Sequence, residues 1–316
     1  MASAIASSSM LSAVVRTPGG RHVAVGRRGH ILVSDNGGQN WRQVSCPVST
    51  DLVAVQFIDA RKGWAVGQGG VVLHSTDAGD TWIKQLDGRQ AAALMVKHFE
   101  ALAGDERHAM ALDDARRFQE EGPGRPFLDL WFEDDQSGFV VGAFNMIFRT
   151  GDGGKSWQVW SDRVPNEGGL HLNAIRGLGS DIYMVGEQGS LWRLDRASQR
   201  FVNIPTSYGG SYFGLAGTQG VLVLFGLRGN AFRSEDGGGT WAKLETGVTS
   251  GVSAGIVLPG NRLVLVTLGG EILSGPLDGR LAPLKADRPM PYYGVAGSDA
   301  GLVLVGGQGA RSQKIN

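Results

Sequence analysis

GWAVGQGGVVLHSTDAGDTW, residues 63–82, carries the two signatures that decide the fold. Its second half, STDAGDTW (75–82), fits the pattern Ser/Thr-x-Asp-x-Gly-x-Ser/Thr-Trp, the Asp-box. The same octapeptide returns as TGDGGKSW at 150–157 and SEDGGGTW at 234–241, and SDNGGQNW at 34–41 fits with Asn36 in the Asp place. Trp41 and Trp82 stand 41 residues apart. Trp157 to Phe201 is 44, Phe201 to Trp241 is 40, and a further 40 reaches Leu281, where the turn has lost the motif. The first half holds the second signature, an apolar residue and Gly with Gly or Asn three positions on. Val66-Gly67…Gly70 recurs as Val25-Gly26…Gly29, Val141-Gly142…Asn145, Val185-Gly186…Gly189, Phe225-Gly226…Gly229 and Val305-Gly306…Gly309. Gly and Asn tolerate positive φ, so this marks a tight hairpin turn.

Around these turns each unit has four short apolar runs. In the second unit they are LVAVQF, GWAVG, VVLHS and WIKQL. A four-stranded unit of about 40 residues, repeated, is the sequence pattern of a β-propeller. Units begin near residues 10, 50, 125, 170, 211, 251 and 291, which gives an all-β, seven-bladed propeller in one domain over 1–316. The last unit has runs for three strands, YYGVAG, LVLVG and ARSQK. Because an open edge invites aggregation, Ala2–Ala6 is expected to close that blade as its outer strand.

One segment breaks the pattern. Residues 89–122 are rich in Ala, Leu, Glu and Arg, with Leu94, Met95, Phe99 and Leu102 at helical spacing and Gly104 as punctuation. They predict a helical hairpin between the outer strand of blade 2 and the inner strand of blade 3. Deleting residues 90–121 is expected to spare the propeller, since the flanking strands belong to different blades.

Composition excludes several functions. Thirty basic residues balance thirty acidic ones, which argues against a coat for nucleic acid or an anionic membrane, and no direct membrane insertion is expected. One cysteine, Cys46, excludes a disulfide framework, and six histidines without ligand spacing predict no metal and no cofactor. No run approaches the ~18 apolar residues of a membrane span. The opening MASAIASSSMLSAVV lacks a basic n-region and makes a poor signal peptide, so the expectation is either a cytoplasmic protein or an exported one whose leader has been removed. A monomer is expected.

The Asp-box looks catalytic, but the turn itself needs its chemistry. Asp77, Asp152, Asp236 and Asn36 can accept from turn amides, and Trp41, Trp82, Trp157 and Trp241 are expected to pack between neighbouring sheets. The GQGG and GGQG runs (67–70, 306–309) neither open a helix nor precede Lys-Ser/Thr, so a phosphate loop is excluded. A sialidase would need an arginine triad, an Arg-Ile-Pro signature and a Tyr–Glu pair. No Arg-Ile-Pro occurs and no such pair is evident, though two facing carboxylates of another glycosidase remain an alternative. Geometry supplies the better candidate. In a propeller the turns between the second and third strands (B–C turns) share one face with the connections between blades, opposite the Asp-boxes. That face is expected to bring together Arg27, Arg28, Gln68, Phe144, Gln188 and Arg228 from the turns. His171, Tyr212 and Tyr293 would join from the starts of inner strands, with His98, His108, Arg116 and Arg117 exposed on the insertion. Arginines interleaved with aromatics suit a protein-binding surface; the same residues also fit turns that are merely solvated.

Residues 63–82 and GFVVGAFNMIFRTGDGGKSW (138–157) resemble the photosystem II assembly/stability factor family of Asp-box propellers over nearly the whole chain. The insertion followed by PFLDLWF (126–132) is similar to its branch from non-photosynthetic proteobacteria. The resemblance implies a seven-bladed assembly chaperone with an arginine patch that binds a membrane-protein partner, for which Arg27, Arg28 and Arg228 are the candidates. For the bacterial branch it implies an exported, periplasmic accessory of resistance-nodulation-division transporters.

Overall fold

The computed structural model describes residues 5–102, 104 and 106–315, except for the side chains of 106 and 107. Seven antiparallel sheets follow one another along the chain. Six have four strands each, and the seventh has three among the described residues. Their inner strands are Leu11–Arg16, Leu52–Phe57, Phe127–Phe132, Leu172–Leu178, Tyr212–Thr218, Val252–Leu258 and Tyr292–Ser298. Each packs against the next, and the first packs against the last, which closes a ring around an axial channel. The seven unit starts read from the sequence lie within two residues of these strands.

The strand sequences follow from their places in the ring. Second strands such as Gly63–Gly67 and His22–Gly26 are buried along their whole length, because a neighbouring blade covers each sheet face. They therefore read as unbroken apolar runs instead of alternating ones. Outer strands are short and wet; Ala242–Lys243 has two residues, both exposed. Shortness limits edge pairing with other chains. The core is correspondingly divided into wedges, one per junction between blades. The junction of blades 3 and 4 packs Phe139, Trp160, Trp192 and Phe201, among others. The closing junction of blades 7 and 1 holds only Ala6, Leu11, Ala24, Leu32 and Val305 as fully buried apolar residues among those described.

Polar stitches compensate there. His22 Nε2 lies 2.8 Å from the Gly297 carbonyl, Arg16 pairs with Asp299 at 2.5 Å, and Ser312 Oγ donates to the Gly37 carbonyl at 3.0 Å. Of the expected closing strand Ala2–Ala6, residues 2–4 lie outside the described residues. Ile5 sits in a turn and Ala6–Ser8 form a 3-10 turn, packed on the third strand of blade 7 (Gly309–Lys314). The approach is so close that a Cβ on Gly309, at φ +86°, would lie 1.9 Å from the Ser7 carbonyl oxygen. Ala6–Ser8 thus pack against the Gly309 end of this strand.

The insertion is helical, as its periodicity predicts, with α1 at Gly88–Ala101 and α2 at Glu106–Glu121. A capping box starts α1: Asp87 accepts from the Arg89 and Gln90 amides, and Gln90 returns a bond to the Asp87 amide. The hairpin is not a loose appendage. Met95, Phe99, Ala115 and Phe118 share one buried cluster with Leu86, Phe127, Phe148 and Val159 of blades 2 and 3. The expectation that its removal spares the propeller is thus overturned, because its loss would uncover the start of blade 3.

Candidate binding face

The B–C turns are built alike. In blades 1, 3, 4 and 5 the chain reverses with two successive residues at positive φ, the geometry whose twist matches a hairpin. The pairs are Arg28-Gly29, Phe144-Asn145, Gln188-Gly189 and Arg228-Gly229, and blade 2 uses Gly69-Gly70. Each of the four turns is closed by two backbone bonds, such as His30 N to the Arg27 carbonyl at 3.0 Å and Gly26 N to the His30 carbonyl at 2.9 Å. The second position is Gly or Asn throughout. The first is Gly once and otherwise carries a full side chain at φ 53–56°, a conformation that costs an L residue about 1–2 kcal/mol. Glycine would relieve that strain, so Arg28, Phe144, Gln188 and Arg228 are retained at a cost in stability. Strain of this kind clusters where side chains must be displayed.

The display is uneven. Arg27, Arg28, Gln68, Gln188 and Arg228 are exposed. Arg27 lies 4.0 Å from Asp51, and neither the Arg28 nor the Arg228 side chain has an ion pair among the described residues. Blades 1 and 5 face each other across the channel, so these arginines form two separate sites on the rim. Phe144 is 49% exposed although it is a large apolar residue. The Arg125 guanidinium lies 5.0 Å above its ring and the His171 ring meets it edge-on at 4.6 Å. Arg125, itself nearly buried, also covers Phe118 at 4.7 Å and grips Asp114 with bonds of 2.5 and 2.8 Å. His171 in turn has Nδ1 3.2 Å from Glu187, whose carboxylate accepts the His171 amide at 2.8 Å. Phe144 and His171 are therefore one cluster with the hairpin.

Other expected members lie elsewhere. Tyr212 is wholly buried, as are Phe127 and Tyr292, because the first residue of an inner strand points into the wedge between blades. Tyr293 is half-buried and lines the axial channel. Arg116 and Arg117 are exposed on α2 but paired, with Glu100 at 3.1 Å and Asp114 at 3.7 Å. His98 and His108 are half-buried, not surface groups. His98 Nε2 lies 2.8 Å from Asp162, bridging α1 to the connection after blade 3. Burial pushes the Asp162 carboxyl up, but the His98 bond and charge outweigh it and hold it below the usual range.

Three features went unread in the sequence. Leu227 and Leu268 are exposed at 39% and 41% in the turns of blades 5 and 6; the apolar-Gly marker places Leu227 one residue before Arg228. Arg125, the organising cation, carried no motif. Thirdly, a cleft of about 760 Å³ separates the hairpin from residues 161–169, with Met95, Phe99, Met110, Val164 and Pro165 among its walls.

On the opposite face the Asp-boxes satisfy themselves. Asp77 Oδ1 accepts from Ser75 Oγ and the Thr81 amide, both at 2.9 Å, and Oδ2 from Thr81 Oγ1 at 2.6 Å. Asp152 and Asp236 repeat the set, and Asn36 keeps its hydroxyl and amide bonds at 3.0 and 2.9 Å. Bonds to Ser156 hold the Asp152 carboxyl at about 2, and bonds to Thr240 and Ser234 hold Asp236 at about 2. Trp82 and Trp157 are buried between sheets, while Trp41 and Trp241 are half-buried there. Inside the channel, Asp129 is buried against Arg176 and accepts the Ile175 amide at 2.9 Å. Burial drives its carboxyl up, against the pull of the guanidinium. Among the described residues no three metal-ligating side chains cluster, and no helix is long and apolar enough to cross a membrane.

Comparison with known proteins places this architecture. The family model for the photosynthesis system II assembly factor YCF48 matches residues 10–93 and 122–242, stopping on either side of most of the hairpin. The chain is 25% identical over 247 residues to the photosystem II assembly lipoprotein Ycf48 of Synechococcus sp. (strain CC9902), covering 72% of this chain and 60% of that protein. It is 24% identical over 229 residues to the photosystem II stability/assembly factor HCF136 of Oryza sativa subsp. japonica, covering 63% and 53%. It thus spans less than two thirds of either relative. Solved structures agree in fold. YCF48 bound to D1 peptide superposes with a TM-score of 0.69 at 16% identity, over 96% of this chain and 92% of that one. The WD40 propeller of Doa1 gives 0.66 at 12%, over 96% and 91%. With its model matched over more than half of the residues, the chain belongs to the photosynthesis system II assembly factor YCF48 family.

Proposed function

We propose that the chain is a non-enzymatic binding and assembly propeller that holds a protein client on its B–C face. The observation that carries this is the set of side chains kept there against their own folding preference. Arg28, Phe144, Gln188 and Arg228 occupy left-handed positions where glycine costs less, and exposed Leu227 and Leu268 lie in neighbouring turns. Exposed apolar groups beside arginines suit a protein partner. The relatives' names as assembly factors and the solved YCF48 with a D1 peptide support the same reading. The client is a membrane protein, either a transporter or an assembly intermediate. The chain meets it as a monomer on the exported, periplasmic side, in keeping with a relative named as a lipoprotein. A hydrolase at the axis would need two facing carboxylates; among the described residues lining the channel, Asp129 is the one carboxylate, and Arg176 engages it.

A photo-crosslinking residue at position 228 or 144, compared with one at Lys155 on the Asp-box face, tests the proposal in native envelopes. A client joined from 228 and 144 but not from 155 is the expected result. Charge reversal by Arg28→Glu or Arg228→Glu weakens that capture, and so does added salt. Equal crosslinking from position 155, or turnover of a glycoside, overturns it.

A further inference from the structure

Every inner strand slips register once, one residue after its start. Leu11 faces Gly26 while Ala13 faces Val25, so Ser12 has no opposite number. The same bulge isolates Val53, Leu128 and Asn173 in blades 2 to 4. It isolates Phe213, Ser253 and Tyr293 in blades 5 to 7. A bulge re-aims the extra side chain, and all seven line the axial channel, a cavity of about 530 Å³, at the end that opens on the B–C face. All are half-buried.

Their chemistry divides the ring. Asn173 and Ser253 donate to the carbonyls that begin the next inner strands, Tyr212 at 2.8 Å and Tyr292 at 2.7 Å. The remaining large members are apolar or aromatic: Val53 and Leu128 on one side, Phe213 and Tyr293 across from them. Leu268 extends the second arc, since a Cβ on Gly251 would lie 3.1 Å from Phe213 and 3.4 Å from Leu268. Below the mouth the charges are already matched, Asp129 with Arg176 and Arg16 with Asp299. Among the described residues an ionic ligand finds no free partner there, whereas an apolar group does. A space of about 530 Å³ is smaller than two turns of helix, which at a diameter of about 10–12 Å displace roughly 850 Å³ or more. On the rim Arg28 and Arg228, with no ion pair among the described residues, stand on opposite sides of this mouth.

We infer that the bulge ring is a socket for one aromatic or large aliphatic side chain of an extended client segment, with acidic residues on both flanks that meet Arg28 and Arg228. This rests on the client-binding reading of the B–C face and names the segment that face recognises. Fluorescein-labelled Gly/Ser dodecapeptides with a central Phe and Asp at both ends are the probe, read by anisotropy on the full chain. Binding is expected to weaken roughly tenfold or more when the central Phe becomes Ala or when Phe213→Ser is introduced. It weakens with Asn in place of the terminal Asp residues, and Asp152→Asn leaves it unchanged. Phe213 is half-exposed, and thermal melts establish that the variant is folded; Tyr293→Ser serves as a second test. Equal binding of Phe and Ala peptides, or of the folded variants and wild type, overturns the socket. So does N-acetylphenylalanine amide binding as tightly as the peptide, which would make the mouth a small-molecule pocket. Crosslinking from position 228 together with failure of every peptide removes the socket and leaves the client face standing. Failure of both removes both.

Discussion

At the scale of single residues, the two faces of the ring obey opposite rules. Asp-box side chains serve the fold, since each carboxylate accepts from amides that the turn would otherwise leave unpaired. Asp152→Ala is expected to cost about 1–3 kcal/mol in chemical denaturation at neutral pH, with client binding by the folded fraction unchanged. The depressed carboxyls also set an acid limit. Their contribution is complete above the unfolded value near 3.8 and is lost as the pH falls toward the folded value of about 2. Melting temperatures of wild type and Asp152→Asn should therefore converge over that window. The left-handed positions of the B–C turns run the other way. Arg228→Gly is expected to leave the melting temperature unchanged or raised, because relief of strain offsets the entropy glycine adds to the unfolded chain, while client capture falls. A clear drop in melting temperature would mean the side chain belongs to the fold.

At the scale of elements, the hairpin behaves as part of two blades. Its amphipathic faces close over Phe127 and Phe148, and Phe118 is fully buried under Arg125. Phe118→Ala is expected to destabilise by about 3–5 kcal/mol, measured by urea unfolding. Loss of only a few tenths would show the hairpin to be separable after all. The hairpin also fixes Phe144, through Arg125, so this element positions the apolar part of the candidate face as well as shielding the core.

At the scale of the molecule, a ring is limited by its closure. The junction of blades 7 and 1 has the smallest wedge among the described residues and relies on His22, whose imidazole is held below its ordinary value by burial. The unfolded chain then takes up a proton first as the pH falls through about 6.5, so stability declines below that point. His74, half-buried and stacked on Trp64, has its imidazole lowered by burial and acts in the same direction. Thermal melts between about pH 7.5 and 5.5 should fall for wild type and less steeply for His22→Gln. Equal slopes would place the acid sensitivity elsewhere. Amides of Gly309–Lys314 should likewise exchange faster than those of the strands joining blades 3 and 4, where aromatic packing is thickest.

Local chemistry written in consecutive residues was readable without coordinates. The Asp-box, the paired positive-φ turn and the apolar runs each act within a few residues, and their spacing alone counted the blades and placed the helical insertion. Which side chains share a surface was decided by the closed ring. Arg28 and Arg228 occupy equivalent turns yet end on opposite sides of the axis. Tyr212 and Tyr293 occupy near-equivalent strands, but the bulge sends the first residue into the wedge and the second into the channel. A one-residue slip in register reverses the direction of a side chain, and it depends on the partner strand rather than on the residue itself. The His98–Asp162 contact likewise joins residues 64 positions apart, and Arg125 covers both Phe118 on the hairpin and Phe144 in the B–C turn of blade 3. Such contacts exist only once the blades have packed.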